Sequence, residues 1–62
     1  MNRQDWRDFY RWLETASLPE LRATLEKIEA TLPFLKDREV RGEALRMRRA
    51  MEAEILERVS RP

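Results

Sequence analysis

Ser17-Leu18-Pro19-Glu20-Leu21-Arg22-Ala23-Thr24-Leu25-Glu26-Lys27-Ile28-Glu29-Ala30-Thr31-Leu32-Pro33-Phe34-Leu35-Lys36-Asp37 is the stretch whose reading decides the fold. Leu18, Leu21, Leu25, Ile28, Leu32 and Leu35 recur at alternating steps of three and four. That spacing aligns six branched aliphatic side chains along one stripe of a helix, as in helices packed side by side. Such a stripe requires a partner helix. The stretch also carries its own punctuation. Ser17 can cap a helix, Pro19 stands in the first turn where its missing N–H does no harm, and Glu20 completes a capping box. Pro33 removes the hydrogen bond to the Glu29 carbonyl and crowds it, so the helix must kink or finish there. Asp37 is placed to cap the next helix.

Outward from this seam, the rest of the chain also reads as helix. Asn2 or Asp5 can cap a first helix in which Trp6, Phe9, Tyr10 and Leu13 share one face, with Trp12 well off it. After Asp37, Val40, Ala44, Met47, Met51 and Ile55 hold one face of a third helix, with Val59 at its margin. Leu45 and Leu56 point elsewhere, and Ala50, Ala53 and Leu56 form a shallower strip. Gly42 weakens the first turns by roughly 1 kcal/mol relative to Ala, and it leaves room for a neighbouring backbone. The segment Ala30–Lys36 echoes Ala16–Arg22 fourteen residues earlier. That period is shorter than true structural repeats have, and the echo is read as chance in a leucine-rich chain. The expected fold is all-α, with helices over 3–16, 18–35 and 38–59. The second and third form an antiparallel hairpin about 27 and 33 Å long, and the short aromatic helix packs across its open end.

Size then bears on assembly. A 62-residue chain makes one domain and buries only about 60% of the surface it exposes when unfolded. Disulfides, metals or a second subunit usually compensate. With no cysteine and no histidine, disulfides and the common zinc sites are excluded, and no EF-hand-like loop is present. Self-association is the remaining route. The expectation is therefore a homodimer in which two hairpins face each other as a four-helix bundle, burying Leu18, Leu21, Leu25, Ile28, Leu32, Leu35, Val40, Met47, Met51 and Ile55. The N-terminus lacks the apolar core of a secretory signal, and no apolar run is long enough to span a bilayer. A cytoplasmic protein with no membrane partner is expected.

The same absences bear on chemistry. Without His or Cys the usual acid–base and thiol solutions are missing. There is no Gly-rich phosphate loop, and the carboxylates read as solvated helix faces with basic neighbours. No catalytic, cofactor-binding or metal-binding residue is expected, and no cofactor. What remains is arginine, which supplies eleven of the thirteen basic residues. From Arg38 to Arg49 five Arg stand against Glu39 and Glu43, whereas Ala50 to Glu57 holds three Glu and no base. This segregation opposes the helix macrodipole. Three readings follow: ordinary pairing with a neighbouring helix or a two-fold mate, a protein-binding surface of Arg and aromatics, or phosphate contacts on nucleic acid. A net charge of +1 and the length of the second helix weigh against nucleic acid. The expected partner contacts are Trp12, Arg41, Arg46, Arg48 and Arg49.

In size, in Asp5-Trp6-Arg7-Asp8-Phe9-Tyr10-Arg11-Trp12-Leu13 and in Asp37-Arg38-Glu39-Val40-Arg41, the chain resembles small helical accessory proteins of temperate bacteriophages and prophages. That group includes quorum-sensing anti-activators, which are dimeric helical hairpins that block host proteins. The resemblance covers the layout of most of the chain and carries over no functional residue. It implies a protein-binding inhibitor of a host protein such as a transcriptional regulator. The alternatives are a small Arg-rich RNA- or DNA-binding bundle and a purely structural, self-associating subunit.

Overall fold

Helix boundaries follow the capping chemistry of the sequence. In the computed structural model, which describes residues 1–61, α1 spans Arg3–Thr15, α2 Leu18–Thr31 and α3 Arg38–Ser60, with a 3-10 turn over Leu32–Phe34. Asn2 caps α1. Its side chain accepts from the Asp5 N–H at 2.9 Å, and Asp5 accepts from the Asn2 N–H in return. Ser17 caps α2 by accepting from the Glu20 N–H at 3.2 Å. Glu20 does not close the expected box, because its carboxylate accepts from the Ser17 hydroxyl instead of a backbone N–H. Asp37 Oδ1 accepts from both Glu39 and Val40 N–H groups and starts α3.

The second helix is shorter than its seam. It ends at Thr31 rather than running to Leu35, because Pro33 has no N–H with which to continue the ladder. The chain tightens into the 3-10 turn and leaves it in extended backbone at Leu35. Pro33 therefore finishes the helix and does not kink it.

The three helices run up, down and up. α2 returns antiparallel to α3, and α1 lies beside α3 in the same direction rather than across the end of the hairpin. Three contacts fix this placement. The Met1 ammonium meets Glu43, Tyr10 meets Arg46, and the Leu13 and Ala16 carbonyls meet Arg58. The backbones of α2 and α3 approach most closely, and α1 stands farther off, as its large aromatic side chains require. The 23 residues of α3 span about 35 Å at 1.5 Å per residue, which sets the 40 Å long dimension of the molecule.

The core forms where all three helices meet. Leu21 and Met51 are fully buried, and Phe9, Leu13 and Ala16 close over them. Trp6, Trp12, Leu25, Ile28, Met47 and Ile55 pack around this centre, half-buried. Leu18 and Leu35 are half-buried and Leu32 is buried apart from the main cluster. Val40 departs from the expected seam at 46% exposure. It lies in the first turn of α3, beyond the level of Glu43 where α1 begins. Among the described residues no helix is long and apolar enough to cross a membrane.

Candidate protein-binding surfaces

The buried face of α1 is turned by about 40° from where the periodicity of Trp6, Phe9, Tyr10 and Leu13 placed it. Its middle is Phe9, Leu13 and Ala16, at i, i+4 and i+7, and these three are buried. At 100° per residue, Trp12 and Trp6 then fall on opposite flanks of the buried arc. Trp12 is thus half-buried, its ring 6.2 Å from Phe9, and packs against the core. It is not the freely exposed side chain expected of a residue off the stripe. Tyr10 takes the outer position, at 39% exposure. The reason is that α1 packs against two helices at once, so a wider arc of its surface is covered.

The arginines of α3 do not share a face. Arg46 turns toward α1. Its guanidinium carbon stands 4.1 Å from the Trp6 ring centroid, and Nε donates to the Tyr10 hydroxyl at 3.2 Å. The ring face is electron-rich, so this is a cation–π contact. Arg41 turns toward the end of α2, where it donates to the Leu32 carbonyl at 3.0 Å. Arg48 reaches Glu52 one turn along, loosely, at 3.5 Å. Arg49 points outward and makes no ion pair among the described residues. The sequence-adjacent cluster is thereby split between two residues that staple neighbouring elements, Arg41 and Arg46, and an outward remainder.

Arg58 escaped the sequence reading and is the most engaged cation of the fold. It donates to the Leu13 carbonyl at 2.7 Å, to the Ala16 carbonyl, and through Nε to Glu54 at 2.8 Å. Helix C-termini leave carbonyls without intrahelical donors. Neither α1 nor α2 has a basic residue in its last turn, so both ends need a cation from elsewhere. α3 supplies one to each: Arg58 to α1 and Arg41 to the turn that ends α2. That unmet need at Ala16 and Leu32 was the available signal. It also accounts for a basic start to α3 against the macrodipole, since the negative end of α2 lies beside it. Beyond Arg58, Arg61 bonds Glu57 at 2.7 Å, and this bond with its charge raises the Arg61 pKa above the ordinary value.

The apolar surface left in solvent includes a cleft and an exposed ring near the Pro33 turn. A cleft of about 220 Å³ lies between α2 and α3, walled by Thr24, Lys27, Ile28, Thr31, Leu35, Ala44 and Met47. Phe34, next to Leu35 in the chain, is 79% exposed. A polar concavity at the other end is lined by Glu14, Glu54, Glu57, Arg58 and Arg61, with Arg58 and Arg61 paired to Glu54 and Glu57. Ser17, the hydroxyl nearest to a carboxylate, is engaged in capping. Among the described residues no group of three or more metal-ligating side chains converges. Comparison with protein-family models, curated proteins and solved structures finds no match for this chain.

Proposed function

We propose that this chain is a non-enzymatic binding module that seats an apolar side chain of another protein in the α2–α3 cleft and occludes the surface it covers. The observation that carries this reading is the cleft itself, with Phe34 almost wholly exposed beside Leu35. Apolar side chains left in solvent together with a concave apolar wall are the usual mark of a protein contact. The cleft has room for the task, since a cavity of about 150 Å³ accommodates a benzene ring. Lys27 in its wall and Arg48 on α3, one turn beyond Ala44, supply positive charge beside it, and Arg is enriched at interface hot spots.

The resemblance to phage-encoded accessory proteins points the same way, toward a host protein such as a transcriptional regulator as the target. The engagement of Arg41 and Arg46 within the fold and a net charge of only +1 favour this reading over a nucleic-acid-binding one, because both reduce what is left to track phosphates. Partner contacts then fall to Phe34 and the cleft walls, with Arg48 beside them.

The test uses the chain as immobilised bait in an extract of its own host. Phe34→Asp replaces the exposed ring next to Leu35 with a charge, and Ala44→Met fills the cleft. Both lie on partly or fully exposed positions and should leave helicity by circular dichroism unchanged. The expected result is one protein retained at near-stoichiometric amount by the native chain and lost with either variant. Equal retention by all three, or none by the native chain, would overturn the proposal.

A further inference from the structure

The outer face of α3, opposite the core, carries Gly42, Leu45, Arg49, Glu52, Leu56 and Val59 at steps of three, four, three, four and three. This is a second a/d stripe; Leu45 is half-buried and the other five positions are exposed. Leu56 is 64% and Val59 53% exposed, and a Cβ built on Gly42 would meet no atom within 4 Å. The fold therefore gives no reason for a glycine that weakens the helix.

The order of the stripe is what identifies its occupant. Read backwards it is Val, Leu, Glu, Arg, Leu, Gly. Laid antiparallel on a second copy in one register, Leu45 opposes Leu56, Arg49 opposes Glu52 and Gly42 opposes Val59, each pair occurring twice about a two-fold axis. Those are the a-to-d layers of an antiparallel helix pair, and a self-complementary patch of this kind is isologous. A parallel pairing would instead set Arg49 on Arg49 and Glu52 on Glu52, so the charges select the orientation. The wider charge pattern agrees, because the antiparallel register sets 44–51, with Arg46, Arg48 and Arg49, alongside 50–57 of the other copy, with Glu52, Glu54 and Glu57. Arg49 has no ion pair within its own chain among the described residues, and the Glu52 side chain is 56% exposed with one loose contact. Both are free to pair.

We infer that the chain self-associates as an antiparallel dimer through this outer face of α3, with leucine layers on either side of a central pair of Arg49–Glu52 bridges. This surface is separate from the α2–α3 cleft and leaves it open. It also replaces the seam-to-seam assembly suggested by the leucine repeat, since α1 already takes one side of that seam.

Sedimentation equilibrium across a concentration series tests the register. Arg49→Glu and Glu52→Arg each create two like-charge contacts and should each weaken dimerisation by roughly tenfold or more. The double variant R49E/E52R rebuilds both bridges with signs reversed and should restore affinity to within about threefold of the native chain. Circular dichroism checks that all three variants keep the native helicity. Dimerisation unchanged by the single substitutions, no recovery in the double variant, or a native chain that stays monomeric at millimolar concentration would each overturn the inference.

Discussion

At the scale of residues, the arginines of α3 are best understood by what each guanidinium touches. Arg58 satisfies two carbonyls at the end of α1, where the helix offers no donor of its own. Hydrogen bonds from a charged donor contribute about 1.5–3 kcal/mol each in favourable settings, so its loss should be felt strongly in a domain this small. Arg41 makes one such bond, to Leu32. Arg46 holds a ring face and a phenol, and a cation–π contact near the surface is worth about 0.5–1 kcal/mol. Arg49 touches no acid of its own chain among the described residues, and surface substitutions of that kind usually change stability by less than about 0.5 kcal/mol. Identical residue types a few positions apart thus divide between holding the fold and facing outward. The division follows from helical phase together with height along α3, which a count of basic residues along the sequence does not express.

At the scale of elements, the helix starts carry local chemistry that can be tested one cap at a time. Ser17→Ala removes the oxygen that accepts from the Glu20 N–H and should destabilise the protein by about 1 kcal/mol in urea unfolding. No change would show that the α1–α2 junction is held by packing alone. Caps at Ser17 and Asp37 were legible in the sequence because each is decided within three or four residues, and Asn2 was one of two candidates, with Asp5, for the first. The end of α2 was legible only in part. Pro33 announces that regular hydrogen bonding must stop, but the choice between kink and termination depends on what receives the next turn. Here Leu32 turns inward and Arg41 reaches its carbonyl, a contact nine residues away in the chain. The position of α1 was not legible at all, because it rests on Arg58 reaching back more than forty residues to Leu13 and Ala16.

At the scale of the whole molecule, three helices enclose a core whose centre is only two fully buried side chains, Leu21 and Met51. Domains of this size have little stability to spare. Leu21→Ala and Met51→Ala should each cost about 2–5 kcal/mol and bring the chain close to or past its unfolding transition at 25 °C, followed by circular dichroism at 222 nm. A loss of less than about 1 kcal/mol for both would mean that the centre of the core lies elsewhere. The leucine seam was legible as the packing face of α2. Its partners were not, since α1 shares them with α3 and shifts the buried arc onto Phe9, Leu13 and Ala16. For the same reason Trp12 moved inward and Tyr10 outward. The candidate binding surfaces are what this packing leaves over: the α2–α3 cleft, Phe34 beyond the 3-10 turn, and the outer face of α3.

The separation of inward from outward arginines is what ties α1 and the end of α2 to α3. Its direct measurement is the urea-unfolding free energy of Arg41→Met, Arg46→Met, Arg58→Met and Arg49→Met, taken at a protein concentration low enough to keep the chain monomeric. Methionine keeps much of the apolar stem and removes the guanidinium. The expected order is a loss of about 1.5 kcal/mol or more for Arg58, about 0.5–1.5 kcal/mol for Arg41 and Arg46, and no more than about 0.5 kcal/mol for Arg49. Four equal losses, or a larger loss at Arg49 than at Arg58, would contradict it.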